Sequence, residues 1–174
     1  MTTAWREFRK PLAAFTLAAG LAVAALAATP ATMSAASDGS EGSNNGAAAR
    51  LGGFPGILAF LENFAVPALL SDPEIASFFT NLTETPDDIE QCLAMLLDHD
   101  LGGSSPHNGA ILKDGHQCRS SMSNIHRGLN IPDRVVDKFI AIVGQTAAQV
   151  GVATSDIQAV ADVLDRYRGG VRNK

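Results

Sequence analysis

From Ile57 onward the chain repeats one pattern, apolar residues three or four apart with polar or small residues between them. Ile57, Leu58, Phe60, Leu61, Phe64 and Leu69 form the first stripe, and a 3.6-residue period puts such a stripe on one helix face. Pro67 falls inside it; a proline removes a backbone donor and crowds the preceding turn, so a bend is expected there. Ser71-Asp72-Pro73-Glu74 reads as a stop and restart, leading into a short helix with Ile75, Phe78 and Phe79. Thr85-Pro86-Asp87-Asp88 is a stronger start, with a capping hydroxyl, a proline at the first helical position and two acids at the positive end of the dipole. The helix it opens carries Ile89, Leu93, Leu96 and Leu97 and ends at Gly102-Gly103. Residues 104–121 show no period and hold Pro106, Gly109 and Gly115, which predicts a loop with room for one helical turn. Two more helices follow. One opens at Asn130-Ile131-Pro132-Asp133 and buries Val135, Val136, Phe139, Ile140 and Val143; the other opens at Thr154-Ser155-Asp156 and buries Ile157, Val160, Val163 and Leu164. No segment alternates with period two, so the expected class is all-α.

The N-terminal region follows a different logic. Arg6, Arg9 and Lys10 precede an apolar run from Leu12 to Ala28, followed by small residues, which is the layout of a secretory signal with Ala25-Leu26-Ala27 as a cleavage motif. Export to the periplasm or the extracellular space is the expectation, and retention as a single membrane anchor by residues 12–28 is the alternative. No Cys follows the run and Arg6 and Arg9 are not adjacent, which disfavours lipidation and twin-arginine export. Thr29 to Ala48 is mostly Ala, Ser, Gly, Thr and Asn, with Pro30, Met33 and two charges, a composition that reads as a flexible linker. The folded domain is expected over residues 49–174.

Hydrophobic content of 46% is ample for one core, and a net charge of −5 argues against nucleic acid as a partner. Tyr167 is the one tyrosine, so hydroxyl donors for an interior site are scarce. Among the four histidines, His126 stands out within Met122-Ser123-Asn124-Ile125-His126-Arg127-Gly128-Leu129-Asn130-Ile131. A neutral imidazole is a common iron ligand, although a lone histidine is more often an ordinary surface or core residue.

Read in order, the motifs resemble those of the group I truncated haemoglobins, the bacterial two-over-two globins. The correspondence runs through Leu51-Gly52-Gly53, Phe64-Ala65, Ser71-Asp72-Pro73, Phe78-Phe79, Leu101-Gly102-Gly103, His107-Asn108-Gly109 and Met122 to Ile131, covering Leu51 to Val171. The resemblance implies a truncated helical sandwich around haem b (iron protoporphyrin IX), with His126 as the proximal iron ligand. It places Phe79 on the porphyrin face, Phe64 and Phe78 beside it, and Ile89, Leu93 and Leu97 along the distal helix. Arg127 would pair with a haem propionate or with surface acids. The ligand implied is a diatomic gas: dioxygen, nitric oxide or carbon monoxide.

Two departures bear on function. The family's distal Tyr becomes Ala65, and with Ile89 and Leu93 apolar the pocket lacks a donor unless Glu90 or Gln91 turns inward. Losing one hydrogen bond to a partly charged ligand costs about 1.5–3 kcal/mol, which weakens dioxygen more than carbon monoxide. The second departure is an insertion of about ten residues between Gly109 and Met122. It carries Cys118, whose pairing with Cys92 an exported protein would tolerate, and His116, which would be a second axial ligand if the loop folded over the haem edge. His99 is expected to be solvated and His107 to pack. Any turnover, such as nitric oxide oxidation, needs an external reductase, since no flavin or nicotinamide fingerprint is present. Two other readings stay open: a haem-free interaction or sensory module, and a six-coordinate electron-transfer protein. The oligomeric state is not legible.

Overall fold

A computed structural model describes residues 46–80, 82, 84–106, 109–119 and 121–174. The expected signal segment, nearly all of the expected linker, and His107 lie outside the described residues. Nine α-helices lie in that range: α1 (Ala47–Arg50), α2 (Gly53–Phe60), α3 (Val66–Ser71), α4 (Pro73–Ala76), α5 (Pro86–Asp100), α6 (Met122–Ile125), α7 (Asp133–Gln149), α8 (Thr154–Arg166) and α9 (Arg168–Val171). Among the described residues β pairing is confined to two isolated bridges, Ile111 with Gln117 and Ile131 with Arg172. The class is all-α.

Two helix pairs make the body. α2 packs on α5, and α7 packs on α8, with α3 laid across α7. Ala48, Ile57, Leu61, Ala65, Ala94, Leu97 and Val163 fill the core on the α2–α5 side. Leu69, Ile75, Ile131, Val135, Val136 and Val143 fill the other. Ala47 and Ala48, expected in the linker, are helical instead. Ala48 is fully buried and donates its N–H to the Leu101 carbonyl at 3.2 Å, so its methyl group belongs to the core.

Pro67 is the second residue of α3. The segment Leu61–Ala65 between α2 and α3 is one wide π turn, with the Val66 N–H reaching back five residues to Leu61 O. A wide turn accommodates an irregularity that a regular α ladder would reject. The Asn63 side-chain amide adds a donor at Ala59 O, 2.8 Å away.

The capping chemistry at Thr85 is reciprocal. Its hydroxyl oxygen accepts from Asp88 N–H, and the Asp88 carboxylate accepts from Thr85 N–H. Two glycines end α5 for different reasons. Gly102 sits at φ +89°, a left-handed conformation costly for other residues. At Gly103 a Cβ would overlap the Asp98 carboxyl group, which accepts from Ser105 N–H at 2.9 Å. The last long helix starts at Thr154, where the sequence places it. Its N-cap is Ala153, and Asp156, buried, receives the Arg50 guanidinium at 2.6 Å.

The aperiodic stretch is a hairpin rather than a loop with a helical turn. Leu112 N–H donates to His116 O at 2.7 Å and Cys118 N–H to Ala110 O at 2.8 Å, with Gly115 at φ +91° in the turn. Its inner residues, Ala110, Leu112 and Cys118, pack against Cys92 and Met95 of α5. Cys92 and Cys118 are joined as a disulfide.

Candidate functional site

α5 is 15 residues long and has two apolar faces. One, through Ala94 and Leu97, faces the core shared with α2. The other, Ile89, Cys92, Leu93 and Leu96, lines a cavity of about 300 Å³. This cavity reaches from α5 to the turn carrying His126. Phe78 and Phe79 close one side of it, and Val135, Val136 and Phe139 of α7 contribute another. Its volume lies at the lower end of the range for small-molecule and cofactor sites, and its lining is largely apolar, as such sites are.

His126 is positioned by a chain of local bonds. The Ser121 side chain accepts from Asn124 N–H and starts α6. One turn later the helix ends on His126, whose Nδ1 lies 2.8 Å from Met122 O. A carbonyl can only accept, so Nδ1 carries the proton and Nε2 keeps its lone pair. Burial lowers the imidazole pKa below its usual value, outweighing the opposing Met122 bond, so the ring is neutral near pH 7. The following loop is braced from the far end of the chain. Gly128 and Asn130 N–H both donate to Lys174 O, at 2.7 and 3.0 Å, and Asn173 N–H donates to Ile131 O at 2.9 Å.

Charged and polar residues gather at one edge of this apolar space. Arg119 pairs with Glu84 at 2.7 Å, and His116 Nδ1 lies 3.8 Å from Asp88 Oδ2. The Thr85 hydroxyl holds the Asp88 carboxyl below the usual carboxylate range, and the Thr85 N–H adds to it. Tyr167 also lines the cavity, but its phenol donates to Asp100 at 2.7 Å. Burial and that bond push its pKa up to about 12, so it stays protonated.

Of the residues singled out in the sequence, His126, Phe79, Ile89 and Leu93 line this one cavity. Three others do not. Leu97 is buried in the α2–α5 core, because eight residues of helix rotate it about 80° from Ile89 toward α2. Phe64, expected beside Phe79, is 46% exposed. It stacks on Phe60 with ring centroids 6.3 Å apart, since the wide turn swings it outward. Both Leu97 and Phe64 line a separate groove of about 660 Å³ beside α7 and α8. Arg127 is exposed and donates to Asn124 Oδ1 at 2.6 Å, outside the cavity wall.

Ala65 lies outside the cavity as well. It is fully buried in the core cluster against which Leu93 packs. Glu90 and Gln91 do not line the cavity either. Val135, Val136 and Tyr167 were missed in the sequence as cavity residues, and their helical periodicity marked the valines only as core.

The donor chemistry narrows what the cavity can hold. Among the described residues no group of three or more His, Cys, Asp or Glu side chains could enclose a bare metal ion. The neutral imidazole of His126, set between aromatic and aliphatic walls, offers one nitrogen lone pair to a bound group. No protein-family model matches the chain, and no curated protein matches it. Its fold is similar to two solved mutant structures of truncated hemoglobin from Tetrahymena pyriformis in the Fe(III) form. Each is 24% identical, with a TM-score of 0.58, over 74% of this chain and 99% and 98% of theirs. The fold is that of a truncated globin.

Proposed function

We propose that this chain is a truncated globin of the group I type that binds haem b through His126 and takes a diatomic gas on the α5 side. The supporting observation is the His126 imidazole, neutral and held by Nδ1 to Met122 O, with Nε2 left as a base in an apolar cavity. Phe79 would cover one face of the macrocycle, while Ile89 and Leu93 exclude water on the α5 side. Haem b, when bound, would supply an iron able to take dioxygen, nitric oxide or carbon monoxide. An external reductase would keep that iron ferrous.

The leader-like residues 1–28 support an exported protein, and a disulfide suits a compartment outside the cytoplasm. The test is haemin titration of the full chain followed by absorption spectra of the ferric, ferrous and carbonyl forms. Stoichiometric uptake with a Soret band is expected, and His126→Ala should lose tight binding while keeping its helical circular dichroism. Equal uptake and identical spectra in His126→Ala would refute the assignment.

A further inference from the structure

The cavity is lined by two imidazoles that come from separate parts of the fold. His126 belongs to the braced turn after α6. His116 belongs to the hairpin Ala110–Cys118, which touches α5 at two successive turns: at Asp88 through His116 itself, and at Cys92 through the disulfide. The hairpin therefore stands against the wall that carries Ile89 and Leu93. His126 Nδ1 is held by Met122 O at 2.8 Å, whereas His116 Nδ1 lies 3.8 Å from Asp88 Oδ2, beyond hydrogen-bond reach, so its ring is placed by the hairpin itself.

Resting on the haem reading above, we propose that His116 is an internal second axial ligand, occupying the iron on the α5 side until a gas displaces it. The rest of that wall offers little competition. Ile89, Leu93 and Leu96 have no donor atoms, the Cys92 sulfur is in the disulfide, and the Tyr167 phenol is given to Asp100. Met95 is the remaining soft donor on α5, packed against the hairpin's inner face. The disulfide keeps the hairpin in place, so the ligand is delivered by an inserted segment rather than by the helix.

The experiment loads the full chain with haemin and compares ferric electron paramagnetic resonance and ferrous absorption spectra of wild type and His116→Ala. Wild type should be six-coordinate and low-spin, and His116→Ala high-spin, with added imidazole restoring the low-spin spectrum. If a tenth of the wild-type iron is open, carbon monoxide should associate about tenfold faster with the variant, since only the open fraction reacts. A high-spin wild type, or a low-spin spectrum that persists in His116→Ala through Met95 or another donor, overturns the proposal. Wild type that takes up haem through His126 yet is high-spin refutes this inference alone. Failure of wild type to take up haem refutes the function proposed above as well.

Discussion

Glu90 offers a quantitative test of how the interior is built. Its side chain is 2% exposed, and its Oε1 has no hydrogen-bond partner. Burial pushes the carboxyl up to about 7 from 4.5, and the charges of Glu62 and Asp87 push it the same way. The folded state therefore holds the proton more tightly than the unfolded chain. The stability this gives is fully present below the unfolded value of 4.5 and is lost as pH rises through about 7. At about 1.4 kcal/mol per pKa unit, wild type should have lost about 1 kcal/mol by pH 5 and about 3 kcal/mol by pH 8. Glu90→Gln keeps the shape and removes the titration. Urea unfolding of both proteins at pH 5 and pH 8 isolates the residue, because the lowered carboxylates Asp72, Glu74, Asp88 and Asp133 are common to both. The variant should gain about 2 kcal/mol on wild type between the two pH values. A difference that does not change with pH would show that Glu90 is ionised in the native protein and meets water or a partner there.

Other consequences can be measured directly. Ala65→Tyr should lower stability by about 1–3 kcal/mol or more, because a phenol cannot enter a fully buried site without moving its neighbours. In the haem-loaded protein its carbon monoxide kinetics should stay close to wild type; a large kinetic change at constant stability would place Ala65 at the ligand. Reducing the Cys92–Cys118 bridge, which closes a sequence separation of 26 residues, should cost about 3 kcal/mol in denaturant unfolding. An unchanged midpoint would mean that the reduced chain stays equally constrained.

The helices were readable because their signals are local. Thr85-Pro86 and the two glycines after Leu101 act within a turn of themselves, and the stripes of α7 and α8 need only a 3.6-residue period. The resemblance likewise led to His126, Phe79, Ile89 and Leu93, which do share a cavity. What escaped were features set by distant partners. An apolar residue on a helix with two apolar faces does not announce which neighbour it meets, so Leu97 went to α2 instead of the cavity. Phe64 followed the stripe on paper, but one wide turn upstream of a proline shifts the phase. Asp156 looked like part of a helix start and also pairs with Arg50, 106 residues away in the chain. The placement of Tyr167 against Asp100 depends on the packing of α8 over the end of α5, which no local pattern encodes.

The wide turn at Leu61–Ala65 has a consequence for how the length of this chain can vary among related sequences. A π turn is an α-helix carrying one surplus residue, so deleting one position among Glu62, Asn63 and Phe64 would restore a regular ladder with both flanking stripes still in phase. That ladder would then run straight through Pro67, whose ring clashes with the carbonyl four residues back at a cost of about 3 kcal/mol. The surplus residue and the proline are thus tied: losing either alone should be costly, while losing both together should be tolerated. Insertions, deletions and proline replacements here should appear as linked events, which an alignment of close relatives would display as two columns changing together.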